Sequence, residues 1–310
     1  MRVLIVASYN GGKFSPFVLE QVGAIKDQHV EFDFFGIKGK GFWGYLNCRK
    51  ILLKKISEFK PDIIHAHYGL SGLLANLQRE VPVVTTYHGS DIHSGGFLLL
   101  LSRVSMRLSK YNIFVSDKLY EIAHFYKDNT TVQSCGVDFD KFKAMSREEA
   151  RKQLGLDLQS NYILFAGSFD NPIKNSSLAQ QACNLIPGCK LIELKGYSRE
   201  EVNLLMNACD CLLMTSHREG SPMVTKEAML CGTPIVSVDV GDVKELVGET
   251  EGHFIVSMDA EKIAIGLNNA IRFSKGKGKT GGRERLIELG LDNKQVAERI
   301  VQVYKSTIIE

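Results

Sequence analysis

Two carboxylates and a helix start stand together in the stretch HREGSPMVTKEAML, residues 217–230. Glu219 and Glu227 are eight positions apart, too far to share one helical turn. Between them Ser221 reads as an N-cap, and Pro222 as the first helical residue, where the missing N–H of proline costs nothing. The backbone N–H groups of Met223, Val224 and Thr225 are then left without intrahelical partners. Such a terminus attracts anions, phosphates above all. A second helix mouth follows Gly167 in FAGSFDNPIKNSSLA, where Lys174 and Asn175 stand side by side. A lysine at a helix N-terminus opposes the dipole, so either an anion lies between them or the lysine is solvated. With the first reading, Lys174 and the amides after Ser221 hold a diphosphate from two sides, as a nucleotide sugar requires.

Two more loops carry residues of the right kind. In SYNGGKFSPFV, Gly11 and Gly12 fall where the backbone turns tightly and can approach a ligand; a plain strand-to-helix turn is the competing reading. In TTYHGSD, His88 and Asp91 flank a glycine. A lone histidine in such a loop more often serves structure than catalysis, so the residues alone leave its role open. Other spellings carry less. Gly278-Lys279-Thr280 ends like a phosphate-binding loop, but Phe273 stands where the first glycine belongs. Asp138 and Asp140 read as turn or capping aspartates rather than metal ligands. His65 and His67 share one strand face without a third ligand, which favours packing and hydrogen bonding. The stretch SKGKGKTGGRE (274–284) reads as a basic, mobile loop.

The elements that must position these residues alternate along the chain. Short apolar runs (RVLIVAS, VEFDFFGI, PDIIHAH, PVVTTYHG, YNIFVS, TTVQSCG, then YILFAGS, KLIELKG, DCLLMTS, PIVSVDV, GHFIVS) are separated by amphipathic stretches, the pattern of parallel sheets covered by helices. Ser146 with Glu149, Ser198 with Glu201 and Asp292 with Gln295 fit capping boxes. At 310 residues, two domains can each bury a core. The reading is α/β, two Rossmann-like domains facing each other across a cleft, with ligands at the carboxyl ends of the strands.

The net charge of +3 comes wholly from residues 1–140, because 141–310 carry equal numbers of acids and bases. Seven cysteines without a C-x-x-C pair point to a reducing compartment, with Cys209 and Cys211 as buried filler. The amino-terminal apolar run is too short for a signal peptide, and no run reaches membrane-spanning length. A cytoplasmic protein is expected, with no nucleic-acid partner.

The order NGG, HGSD, CGVDFDKF, KN and REGSPMVTKEAMLCGTPIVSVDVGDVKELV resembles the family 4 retaining nucleotide-sugar glycosyltransferases (glycosyl transferases group 1), which have the GT-B fold. The resemblance covers most of the chain. It implies a donor-side and an acceptor-side domain, at 139–291 and 1–138, and a final helix within 292–310 that crosses back. It implies that Glu227 binds ribose hydroxyls, Glu219 contacts the donor sugar, and the amides after Ser221 and Pro222, with Lys174, take the diphosphate. His88 is placed near the reacting centre. No metal and no cofactor is implied, since preorganised donors can stabilise the departing nucleoside diphosphate.

There are two departures from the pattern. The family has Gly-Arg where this chain has Gly167-Ser168, leaving Arg218 or Lys195 to replace the missing cation. The glycine-rich strand and helix between KLIELKG and ACDCLLMTS have no counterpart, which puts Lys195, Gly196 and Tyr197 beside the base. The resulting expectation is retaining transfer from a nucleotide-diphosphate sugar, UDP-linked by preference, to a saccharide or lipid-linked acceptor in surface polysaccharide or glycolipid synthesis. An epimerase of the same architecture and a sugar-nucleotide-binding subunit of low activity stay open. Glycoside hydrolysis fits less well, because one carboxylate sits inside a helix. Finally, GFLLLLSRVSMRLSKY sets Arg103, Arg107 and Lys110 at helical spacing opposite leucines, and KGKGFWGYL adds interfacial aromatics. An anionic membrane at the inner face, met peripherally, and an ordinary core helix with solvated arginines are the two readings.

Overall fold

The computed structural model describes residues 1–25 and 29–309. Two compact units form, one from Met1–Gly136 with the last helix, Asn293–Ile309, and one from Val137–Asp292. In the first, β1 (Arg2–Ser8), β2 (Glu31–Ile37), β3 (Ile63–His67), β4 (Val83–Tyr87), β5 (Tyr111–Phe114) and β6 (Thr130–Val132) make one parallel sheet in the order β2-β1-β3-β4-β5-β6. In the second, β7 (Asn161–Phe165), β8 (Cys189–Glu193), β9 (Cys211–Met214), β10 (Ile235–Val238) and β11 (His253–Val256) make a parallel sheet ordered β11-β10-β9-β7-β8. Every apolar run singled out in the sequence is a strand. Strands β3, β4, β9 and β10 are buried along their whole length, as central strands covered on both faces must be.

Each sheet reverses its strand order once, between β1 and β3 and between β7 and β9. Ligands in open α/β sheets bind outside the carboxyl ends of the strands at such a point. The ends of the second unit are tied by the Val137 N–H, which donates to Leu291 O at 2.9 Å. Ser198 and Glu201 complete a reciprocal capping box on the helix Arg199–Ala208, and Ser146 accepts the Glu149 N–H.

Two expectations change. The helix Gly96–Leu108 buries Ser102, Ser105 and Met106, while Phe97, Leu98 and Leu100 are exposed at 62%, 38% and 53%. The serines face inward because this helix lies close against Gly69 and Gly72 of the helix Gly69–Asn76, where any Cβ would fall on Ser102 or Ser105. Leu99 packs against the core, and Leu98 and Leu100 do not. Nor do the three cations form one stripe. Lys110 lies beyond the helix end, and Arg103 Nε donates to Ala123 O at 3.1 Å, leaving Arg107 and Lys110 exposed. The stretch 274–284 is not a loose loop either. Its start belongs to the helix Ala260–Gly276, its end to the helix Gly282–Glu288, and Thr280 between them is buried with its N–H on Gly232 O.

Candidate functional site

In the carboxyl-terminal unit the loops after β7 and β9 bracket the reversal point. After β7 the chain makes a short turn, Pro172–Lys174, and Asn175 at φ +54° redirects it into the helix Ser176–Asn184. Asparagine is among the few residues that tolerate this left-handed conformation. Thr215, at the end of β9, donates its hydroxyl to the carbonyls of Lys174 and Asn175 at 2.9 and 3.0 Å. The two loops are thereby fixed to each other, and Lys174 Nζ meets Glu219 Oε1 at 2.6 Å. The lysine stem runs over Gly167, where a Cβ would come within 2.6 Å of Lys174 Cγ. That contact explains the glycine at this position.

The helix after Glu219 starts one residue later than the sequence implies. It spans Met223–Leu230 with Pro222 as the extended cap residue, and Ser221 does not cap it. The Ser221 hydroxyl instead donates to Asp242 Oδ2 at 2.6 Å and accepts from Lys226 Nζ at 2.9 Å. Lys226 is fully buried, and this chain of polar groups holds the loop. The Thr225 N–H is also not free, because it donates to Pro222 O at 3.2 Å. Met223 and Val224 remain as the N–H groups that open the helix. Glu227 is 4% exposed, and its Oε1 accepts from Arg199 Nη1 at 2.7 Å.

Spacing alone did not reveal Arg199, Lys226 or Asp242, since each acts through a partner brought in by the fold. Beside the site, Ser168 Oγ donates to Asp170 Oδ1 at 2.6 Å, and Lys195 Nζ meets Asp170 Oδ2 at 2.7 Å. Ser168 and Lys195 are thus joined through one carboxylate. Tyr197 is 41% exposed in the loop after β8.

In the amino-terminal unit, the loops after β1, β3 and β4 hold the other candidates. Gly12 turns at φ +71° in the loop after β1, and neither Gly11 nor Gly12 has an atom within 4 Å of a Cβ position. His88 follows β4 and meets His67 of β3, Nε2 to Nδ1, at 3.0 Å, with the rings stacked at 5.2 Å. His67 in turn stacks on His65, whose nitrogens reach Tyr304 Oη and Thr86 Oγ1 at 2.6 and 2.7 Å. The strand pair His65 and His67 therefore leads to His88. Burial, with the neighbouring His67 charge adding, lowers the His88 pKa well below the usual imidazole value. Asp91 accepts the N–H groups of Gly89 and Gly69 at 2.8 and 3.1 Å. Burial still raises its pKa to about 6, the amides offsetting part of the effect. Among the described residues, no cluster of three or more His, Cys, Asp or Glu is arranged to hold a metal ion.

Residues 2–141 match the model of Glycosyltransferase Family 4, and residues 149–272 that of Glycosyl transferases group 1. Among curated proteins, Bacillus subtilis (strain 168) TuaC, named as a teichuronic acid biosynthesis glycosyltransferase, is 25% identical over 239 residues. That match covers 68% of this chain and 61% of TuaC. The D-inositol 3-phosphate glycosyltransferase of Mycobacterium marinum is 23% identical over 264 residues, covering 69% of this chain and 56% of that protein. The chain thus spans about three fifths of the relatives it matches.

Sucrose-phosphate synthase from Thermosynechococcus elongatus shares the fold with a TM-score of 0.87 at 17% identity, covering 100% of this chain and 99% of that one. Anabaena Alr3699/HepE, solved with UDP, shares it at 0.76 and 18%, covering 99% and 100%. On its two parallel sheets, on these GT-B neighbours and on the models matched by each unit, the chain belongs to the family 4, group 1 glycosyltransferases.

Proposed function

We propose that the protein is a retaining, metal-independent glycosyltransferase that takes a sugar from a nucleoside diphosphate, UDP by preference, to a saccharide or lipid-linked acceptor. The observation that carries this reading is the meeting of Lys174 and Glu219 at 2.6 Å beside a helix start whose first N–H groups are those of Met223 and Val224. The diphosphate lies between Lys174 and those amides, which stabilise the charge that grows as the glycosidic bond to the nucleotide breaks. As the phosphate draws off the ammonium, Glu219 is released to hold the sugar hydroxyls. Glu227, held by Arg199, takes the ribose, and Tyr197 lies towards the base. HepE was solved with UDP and with UDP-glucose, which supports the choice of donor.

In the amino-terminal unit, His88 and Asp91 with the Gly11-Gly12 turn are the residues assigned to the sugar and acceptor. Arg218 and Lys195, the latter bound to Asp170, are the two cations assigned to replace the one missing at Ser168. The exposed Trp43, Phe97 and Leu100 beside basic residues support docking on an anionic membrane at the inner face. No helix among the described residues is long and apolar enough to cross one.

Incubation with a panel of nucleotide sugars and candidate acceptors, followed by mass spectrometry of the products, tests the reading. Glycosylated acceptor with the donor's anomeric configuration and free nucleoside diphosphate is expected, with chelator leaving the rate unchanged. An isomerised donor without transfer, an inverted product, or binding without turnover would each overturn it.

A further inference from the structure

The cationic stretch near residue 277 helps to line a cavity of about 600 Å³ within the carboxyl-terminal unit. Cys209, two residues before β9, and Pro234, directly before β10, also line it. The cavity therefore lies at the amino ends of the strands, whereas Lys174 and Glu219 follow the carboxyl ends. The proposed donor site does not account for it.

The charges around this cavity are unbalanced. Arg147, Lys275, Lys277 and Lys279 all line it. The carboxylates against them are fewer. Asp210 lies between two guanidiniums, Arg147 Nη1 at 2.8 Å and Arg151 Nη2 at 3.0 Å, and Glu251 takes Lys277 at 2.6 Å. Lys279 is half-buried, and its Nζ donates to the neutral amide oxygen of Asn207 at 2.7 Å. Burial, with the Arg147 charge adding and the Cys231 thiol opposing, lowers its pKa to about 8. An arriving anion would offset that burial and raise it again.

The donors are also held in place. Asn207 Oδ1 accepts the Met145 N–H at 2.8 Å, and Arg147 Nη1 reaches the buried Ser274 Oγ at 2.8 Å. Such a concave site, with a few fixed polar groups and an apolar side, has the dimensions of a small-molecule pocket.

We propose that this cavity binds a phosphate-bearing small molecule, its anion held by Lys279, Lys275 and Arg147 and its organic body set against Met145 and Pro234. The shared chemistry is the phosphate; a nucleotide and a sugar phosphate are its two sources.

The test is calorimetric titration of inorganic pyrophosphate into the full chain carrying Lys174→Ala and Glu227→Ala, which weaken the donor site by removing its lysine and its ribose carboxylate. Binding should persist there and weaken about tenfold or more when Lys279→Met is added, the loss expected for one charged hydrogen bond. Lys275→Gln, at an exposed position that leaves the fold intact, should weaken it several-fold and decides the matter if Lys279→Met does not fold. Absence of binding in the donor-site variant, or binding indifferent to the lysine substitutions, overturns the proposal. A nucleoside monophosphate and glucose 1-phosphate, run beside inorganic phosphate, identify the source. Tighter binding of either supports the assigned body contacts, and equal binding of all three overturns them.

Discussion

At the scale of single residues, the proposed chemistry turns on two ion pairs that a donor must rearrange. Lys174 and Glu219 are partly open to water, at 21% and 15%, so a diphosphate carrying more charge than one carboxylate can draw the lysine away. Lys174→Ala should lower kcat/KM by roughly 10²–10³, the range for removing one preorganised donor from a developing anion, with the circular-dichroism spectrum unchanged. Glu227 is nearly buried and paired with Arg199, so Glu227→Ala should raise the donor Kd about tenfold or more, measured by calorimetry. Unchanged affinity would remove the ribose assignment.

What the sequence made legible here follows from chemistry at short range. Lys174, Asn175, Glu219 and Pro222 each sit in a recognisable loop or helix start. Arg199 meets Glu227 across 28 positions, and Lys226 hides in an apolar helix face, so no local pattern marks either. Ser221 looked like a cap because capping is the commonest local use of serine before a helix. A partner 21 positions away, Asp242, took its hydroxyl instead.

At the scale of elements, β3 and β4 stack His65, His67 and His88 in an environment that keeps them neutral. His67, lowered by burial from 6.5 to about 3, resists protonation in the folded chain while the unfolded chain takes up a proton near 6.5. Stability is therefore lost as pH falls below 6.5, approaching about 1.4 kcal/mol per pH unit for each such group. His65 and His88 are shifted in the same direction. Asp91 has the opposite sign: raised from 3.8 to about 6, it holds its proton more tightly when folded and adds stability as pH falls through that window. His67→Gln should make the pH dependence shallower by about 1.4 kcal/mol per pH unit between roughly pH 6 and 4, read from urea midpoints and m-values. Parallel curves for the variant and the parent chain would refute the assignment. The strands themselves were plain from their apolar runs. The side chains they bring together were not, because strand order β1-β3-β4 is a property of the folded sheet.

At the scale of the whole molecule, charge and exposed apolar surface coincide in the amino-terminal unit, and the charge was already visible in the sequence. The surface was not, because a leucine run is the ordinary sign of a core helix. The close fit of Gly69 and Gly72 against Ser102 and Ser105 leaves Phe97, Leu98 and Leu100 outward, while Leu99 packs inward. Phe42 then links the two exposed elements, its ring 5.2 Å from Trp43 and 6.3 Å from Phe97. Trp43, at 72% exposure, stands in a segment, 38–50, that carries Lys38, Lys40, Arg49 and Lys50 and no acid. Rings and leucines would enter the lipid interface while the cations meet anionic headgroups. Flotation with vesicles rich in phosphatidylglycerol should therefore carry the protein up at low salt, and less so at high salt. Trp43→Ser and Phe97→Ser should each weaken binding about tenfold or more, from the lost burial of one aromatic ring. Arg107→Glu is the charge variant to use, since Arg103 also holds the Ala123 carbonyl and its replacement would disturb the fold. No flotation at low salt, or flotation unmoved by all three substitutions, would show that this patch serves something other than a membrane.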